Sequence, residues 1–166
     1  MEEFNFMLIR PITANDDAAM AAIIRQQLKK HHLDIPGTAY FDSELDHLSR
    51  FYQVTADRAY FVICDEMGQV CGGAGFAAYD THHHIAELQK LYLDPAVSGQ
   101  GLSYILMEYV MNAAQSAGYQ QLYLETHSNL QIALHLYRKL GFSELERPLQ
   151  KTVHPTMDYF FLKNLT

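Results

Sequence analysis

Between Ala59 and Leu93 three runs of strand-forming residues, AYFVIC, VCGGAGFAAY and HIAELQKLYL, follow one another across DEMGQ and DTHH, turns too short to hold a crossover helix. Strands joined so closely pair antiparallel, as a meander. The pattern then changes. After Asp94-Pro95 and the turn SGQG, Leu102, Ile105, Leu106, Tyr109, Val110, Ala113 and Ala117 recur at the spacing of one helix face, and Gly118 is placed to end that helix in a left-handed cap. QLYLET then returns as a strand. Strand, helix and strand in so short a span form a right-handed crossover, which sets those two strands side by side and parallel. A meander that hands over to a crossover is a mixed sheet of the α/β (α+β) class.

The flanks extend this sheet. Residues 5–12 read as a first strand, and Thr13 followed by Asn15, Asp16 and Asp17 reads as a helix start with acid at the positive dipole end. Met20, Ile23, Ile24 and Leu28 carry that helix to about Lys30, where His31, His32 and Pro36-Gly37 break it. A short second helix from about Asp42 presents Leu45, Leu48 and Tyr52 on one side, after the aromatic loop DIPGTAYF. Beyond QLYLET, Ala133, Leu136, Tyr137 and Leu140 mark a further helix closed by Gly141, before terminal strands at residues 143–146 and 157–163. No linker or repeat interrupts the order, so residues 1–166 read as a single domain with one sizeable core.

The composition, 49% hydrophobic and 19% charged, is that of a folded protein. A net charge of -7 without any basic stripe speaks against a nucleic-acid partner and weakly favours a cationic substrate such as an amine. MEEFNFMLIRP lacks the basic and apolar regions of an export signal, and no apolar run approaches the roughly 18 residues of a membrane span. The expectation is a cytoplasmic protein that binds no membrane, with Cys64 and Cys71 reduced and serving as small buried hydrophobes. Adjacent histidines at positions 82, 83 and 84 cannot all face one ion on a strand, and no zinc-like spacing occurs elsewhere, so a hairpin tip and no metal are expected.

Chemistry concentrates at Val97-Ser98-Gly99-Gln100-Gly101-Leu102-Ser103. The glycines let the backbone curl, and the turn feeds a helix whose first N–H groups have no partner, so together they can hold an anion without a basic side chain. A purely structural tight turn would read the same way. A Walker loop is excluded by the absence of Gly-Lys-Ser/Thr. A dinucleotide fingerprint would need glycine where Tyr104 stands, although Glu125 could supply its acid.

In its order of elements the chain resembles the GNAT N-acetyltransferase superfamily over nearly its whole length. The family signature Q/R-x-x-G-x-G/A falls on Ala96-Val97-Ser98-Gly99-Gln100-Gly101, and a later pattern of Ala, Tyr and Gly-Phe is met by Ala133, Tyr137, Gly141 and Phe142. The resemblance implies acetyl-CoA as co-substrate, an amine acceptor, and a mostly antiparallel sheet of about six to seven strands with helices on both faces. It also implies that the parallel fourth and fifth strands splay apart. The pantetheine arm would pair with the main chain of Leu91, Tyr92 and Leu93, and the pyrophosphate would lie on Ser98, Gly99, Gln100, Gly101, Leu102 and Ser103. Asn129 is similar to a family asparagine after the fifth strand. Ala96 and Ser98 stand where the family carries Gln or Arg and Arg, so the cradle leans on backbone N–H groups, with Ser98 and Ser103 as neutral donors.

Acyl transfer from a thioester to an amine needs a base, an oxyanion donor and a proton for the leaving thiolate. Glu87 sits in mid-strand within the apolar stretch AEL, where several family members keep a catalytic glutamate, and burial would raise its pKa. Strand alternation puts it on one face with Gln89 and Leu91. A water chain could serve as base instead. Tyr137 is the implied acid, and the N–H of Leu91 the oxyanion donor. The acceptor site would be built from the DIPGTAYF loop, the second helix and residues 148–156, with Tyr40, Phe41 and Asp42 as walls. A noncatalytic acyl-CoA-binding module would carry the same cradle. Members of this family often dimerise, which leaves a homodimer open.

Overall fold

The computed structural model describes residues 7–97 and 99–166. The meander forms as expected. Strand β1 is Leu8–Pro11, β2 Ala59–Cys64, β3 Val70–Asp80 and β4 Ile85–Leu93, each antiparallel to the next. Helix α1 is Asp17–Lys30 and the short α2 is Leu48–Gln53. The crossover runs from β4 through helix α3, Leu102–Ser116, to strand β5, Gln121–Thr126, which lies parallel to β4. Helix α4, Gln131–Lys139, precedes β6, Ser143–Leu145, and β7, Tyr159–Asn164. The sheet order is β1-β2-β3-β4-β5-β7-β6.

Strand alternation divides two cores. Tyr60, Val62 and Cys64 of β2 pack with Met20, Ile24 and Leu28 of α1 and Leu48 and Tyr52 of α2. Phe61, on the opposite face, joins Leu106 and Val110 of α3 and Leu136 and Tyr137 of α4. With helices on both faces the middle strands are buried on both sides, which is why AYFVIC is continuously apolar. Cys64 and Cys71 are free and buried.

Three details differ from the sequence expectation. The helix expected from about Asp42 is broken into 3-10 turns, Ala39–Phe41 and Leu45–His47, and only Leu48–Gln53 is α-helical. Asp42 itself is extended, at φ -61° and ψ 130°, with its side chain bonded inward. On α3, Ile105 and Tyr109 are exposed, while Met107 and Ala114 are buried. The buried face follows the i, i+4 ladder Leu102, Leu106, Val110 and Ala114, and lies slightly to one side of the stripe read from the sequence. The third difference is a bulge in β4. Gly75 pairs with Gln89 and Gly73 with Tyr92, so one residue of β3, Ala74, opposes two of β4, Lys90 and Leu91. Lys90 absorbs the extra residue at φ 52°. The bulge reverses parity: Leu91 and Leu93 pack with the α3 and α4 core beside Leu88, while Tyr92 joins the α1 and α2 core. Leu91 therefore does not share a face with Glu87 and Gln89.

Candidate active site

The bulge is held from beneath. The Tyr60 hydroxyl donates to the Lys90 carbonyl at 2.7 Å, and a Cβ on Gly73 would lie 2.5 Å from the Tyr60 ring, so glycine is required for β3 to pass over it. Pairing of β4 with β5 runs only from Ile85↔Gln121 to Glu87↔Tyr123 and then stops. The strands part beyond Glu87, and Lys90 and Leu91 appear in the register with neither neighbour. Their main chain is thereby left outside the ladder register, with the Lys90 carbonyl taken by the Tyr60 hydroxyl.

Past β4 the chain turns through Pro95–Val97, with the Ala96 N–H donating to Asp94 Oδ1 at 2.9 Å. Ser98 lies outside the described residues. Gly99 and Gly101 both sit at positive φ, 81° and 72°, with open space where a side chain would be. Glycine is needed there for conformation and not for room. Gly101 caps α3 without any side-chain hydrogen bond, which leaves the first N–H groups of the helix for a ligand.

A cleft of about 350 Å³ runs along this edge and gathers Leu91, Tyr92, Leu93, Gly99, Gly101, Leu102 and Ser103. Gln100 is exposed and is not among its lining residues. Asn129 is exposed as well, and its side-chain amide donates to the His31 carbonyl at 2.9 Å, so it braces the end of α1 against the start of α4. Two residues invisible to motif reading appear here. Gln27 of α1 lines the cleft with its Nε2 buried and unpartnered. Lys139 lies 5.3 Å from the centre of the Tyr104 ring, which sets a positive charge beside the first turn of α3.

On the other side of β4 is a cavity of about 510 Å³ whose walls include Phe41, Asp42, Glu44, Glu87, Lys90, Glu125 and His154. Of the three acceptor walls expected from sequence, Phe41 and Asp42 are present, whereas Tyr40 packs against the α1 and α2 core and is not among the lining residues. Lys90, only 6% exposed, reaches Asp42 at 2.8 Å and Glu44 at 3.4 Å. His154, from the long connection between β6 and β7, bonds Asp42 Oδ1 at 2.8 Å. The His154 pKa is raised by that bond, against the opposing effect of burial. Burial works to lift Asp42, but its bonds to His154 and Lys90 hold it below the usual carboxylate range. Thr156 fastens the same connection to the Pro36-Gly37 turn through its hydroxyl and its N–H.

Glu87 lies at the base of this cavity. Gln89 Nε2 donates to it at 2.8 Å, and Gln89 Oε1 in turn accepts from the buried Tyr52 hydroxyl at 2.6 Å. Burial pushes the Glu87 carboxyl up, the Gln89 bond pulls it down, and Glu125 across the gap adds to the rise. Glu125 accepts from the Tyr123 hydroxyl at 2.7 Å and from the Thr152 hydroxyl. Between cleft and cavity lies a gap of about 60 Å³ where β4 and β5 part, lined by Leu91, Tyr92, Glu125 and Tyr137 among others. Tyr137 is buried, and burial, with the nearby Tyr92, raises its pKa so that the phenol stays protonated. Tyr92 lines all three spaces.

A roomier hollow of about 780 Å³ beside α2 carries none of this chemistry. Its Asp17 is spent on the N–H and hydroxyl of Ser49, at 2.9 and 2.7 Å. Among the described residues no group of three or more His, Cys, Asp and Glu is placed to hold a metal ion. The histidine triplet is a hairpin tip, with His83 Nδ1 2.8 Å from Asp80. No described helix is long and apolar enough to cross a membrane.

The sheet is thus parted between two parallel strands, with a glycine turn and an uncapped helix at one lip and an acidic cavity at the other. Comparison with known proteins gives the class. The model of the Acetyltransferase (GNAT) family matches residues 25–142. The chain is 35% identical over 160 residues to an uncharacterized N-acetyltransferase, YjgM, of Escherichia coli K12, covering 95% of each. Its fold superposes on an acetyltransferase of the GNAT family from Staphylococcus aureus Mu50 with a TM-score of 0.83 at 17% identity, over 97% of this chain and 100% of that one. It also superposes on the Salmonella typhimurium acetyltransferase yncA, solved with acetyl-CoA, at TM-score 0.75 and 21% identity, over 97% and 95%. The chain belongs to the acetyltransferase (GNAT) family and is an acyltransferase of that type.

Proposed function

We propose that this protein transfers an acetyl group from acetyl-CoA directly to a primary amine of a small molecule or peptide, within a ternary complex. The observation that carries this reading is the continuity of three spaces: a donor cleft, a charged cavity and a narrow gap joining them, with Glu87 on one side and Tyr137 on the other. Acetyl-CoA supplies an activated thioester. The pantetheine arm fits the parted strands beside Leu91–Leu93, with the orphaned amide of Gln27 as an added donor, and the phosphates fit Gly99, Gly101 and the α3 N-terminus, with Ser98 and Ser103 as neutral donors.

Glu87 takes a proton from the acceptor ammonium, its carboxylate made a stronger base by burial than an exposed glutamate. The freed nitrogen forms the C–N bond as the C–S bond breaks, and the Leu91 N–H, released by the bulge, meets the transient oxyanion. Of the two protons the ammonium loses, one leaves through Glu87 and the other ends on sulfur by way of Tyr137, which the second proton restores. A module that only bound acyl-CoA would need no charged cavity at the far side of the gap. The free, buried cysteines suit the reducing cytoplasm.

Thiol release with acetyl-CoA and a panel of amines tests this reading. Tyr137→Phe is expected to slow release about tenfold or more while leaving acetyl-CoA affinity intact. Equal rates in the two proteins would remove Tyr137 from the mechanism, and absence of both donor binding and thiol release would overturn the whole reading.

A further inference from the structure

The charges of the acceptor cavity are unevenly paired. Its two basic groups, Lys90 and His154, are both spent on Asp42, one on each carboxylate oxygen, and Lys90 also faces Glu44. An incoming carboxylate would have to break a buried pair to reach either group, which costs more than the new pair returns. Beside them stand two carboxylates, Glu87 and Glu125, that make no ion pair with any described residue, although Lys90 and His154 lie near enough to favour the charged form of Glu87. Glu87 is bonded by the neutral amide of Gln89, and Glu125 by the neutral hydroxyls of Tyr123 and Thr152. They sit on adjacent strands at the point where β4 and β5 part, close enough for Glu125 to raise the pKa of Glu87. Two anions held near each other in a half-buried site are stabilised together by positive charge from a ligand.

One of the two cannot hold a permanent cation. If Glu87 is the base, it must receive a proton from the attacking nitrogen, so it meets that nitrogen only transiently as an ammonium. Glu125 has no such duty. We propose that the acceptor carries a second cationic group besides the amine that is acetylated, and that Glu125 holds this distal group; the acceptor is thus a diamine or dibasic amine without a free carboxylate near its reacting nitrogen. This rests on the reading of Glu87 as base. The exposed Phe41 and Val153 at the cavity mouth, 61% and 82% accessible, give an aliphatic linker apolar surface to lie on.

The test uses the full chain with acetyl-CoA and three amines on one three-methylene spacer: 1,3-diaminopropane, butylamine and 4-aminobutyrate, which differ only in a distal ammonium, methyl or carboxylate. The homologous sets one carbon shorter and longer are run beside them. The expected order of kcat/KM is diamine, monoamine, amino acid, with about a tenfold advantage of diamine over monoamine in at least one set. In Glu125→Gln, whose amide oxygen can still accept from Thr152 or Tyr123, the diamine-to-monoamine ratio is expected to fall to about one. Circular dichroism and acetyl-CoA affinity check that this variant is folded, and the wild-type order needs no variant at all. Glu87→Gln is expected to depress diamine and monoamine in parallel. A Glu87→Gln enzyme with full activity but an Glu125-dependent ratio would remove the base and keep the acceptor class. Preference for 4-aminobutyrate, or a ratio unmoved by Glu125→Gln, would overturn the proposal. So would failure of every diamine both to be acetylated and to raise the melting temperature of the CoA-saturated protein.

Discussion

The donor cleft is walled by Leu91, Leu93, Leu102, Leu130 and Ile132, with Gly99 and Gly101 offering no side chain at all, whereas the acceptor cavity is walled by Asp42, Glu44, Glu87, Lys90, Glu125 and His154. In the function proposed above, one half would recognise its ligand through released main chain and apolar surface. The other would do so through charge. The difference follows from what each must bind: a donor of fixed shape can be met by backbone geometry alone, while an acceptor must be held, discriminated and deprotonated. Each half should therefore fail in its own way.

The largest expected effect breaks the acceptor half alone. Glu87→Gln should lower kcat by about 10²-fold or more, the range for loss of a general base, and leave acetyl-CoA affinity unchanged. The rise of activity with pH through the raised pKa of Glu87 should vanish with it. Stability should move the other way. The folded state holds the Glu87 proton more tightly than the unfolded chain, so ionising Glu87 costs stability as pH rises from the unfolded pKa through the folded one. At pH 7 and above the Gln variant should melt at a higher temperature than the parent, and an equal or lower value would contradict the burial cost assigned to Glu87.

Gly101→Val breaks the donor half alone. A β-branched residue at φ 72° is strained by about 1–3 kcal/mol, and the N–H groups that follow would be turned from the cleft. Acetyl-CoA affinity should fall about 100-fold by calorimetry, whereas Ser98→Ala should cost only a few-fold. Gln27→Leu probes the same half more gently. Removing an orphaned donor that only a ligand can satisfy should weaken acetyl-CoA binding by about 2–10-fold and raise rather than lower thermal stability without ligand. A Gln27→Leu protein that binds acetyl-CoA as well as the parent would return the donor half to backbone alone.

The same contrast decides what the sequence could reveal. The donor half is contiguous: β4, the glycine turn and α3 follow one another, so the strand pattern, two glycines and a helix stripe expose it to direct reading. Tyr137 is picked out only by the family resemblance, through its register with Gly141-Phe142; the helix that carries it does end at Lys139, with Gly141 at positive φ. The acceptor half is assembled from residues 42, 87, 90, 125 and 154, which share no spacing and meet only once the sheet has formed. Nothing in the spacing of Lys90 marks it as buried, and His154 is one of several histidines scattered along the chain. The bulge at Lys90 was hidden too, because nothing in LQKLYL announces an extra residue. It comes from the glycines of β3 and the Tyr60 hydroxyl, which are remote in sequence. Period-2 reasoning therefore assigned Leu91 to the wrong face.

The smallest predicted effect asks how finely the acceptor half is tuned from outside it. Tyr52 touches no ligand space directly, yet its hydroxyl donates to Gln89 Oε1, which obliges the amide nitrogen of Gln89 to face Glu87 and stabilise its charged form. Tyr52→Phe removes that obligation and lets the amide turn over, presenting an oxygen that only a protonated Glu87 can satisfy. The Glu87 pKa should rise further, since a hydrogen bond that favours the charged form gives way to one that favours the protonated form. Activity at neutral pH should fall a few-fold and return at higher pH, with the maximal rate little changed. Carboxyl-carbon NMR titration of Glu87 reads the shift without relying on turnover. Tyr60→Phe is the control, because Tyr60 packs at a tilt against the Tyr52 ring but bonds the Lys90 carbonyl, not Gln89. It should loosen the bulge and weaken donor binding while leaving the Glu87 titration in place. If both phenylalanine variants shift the titration alike, the effect is general loosening of the tyrosine pair, and the separation between the two halves does not extend to the residues that support them.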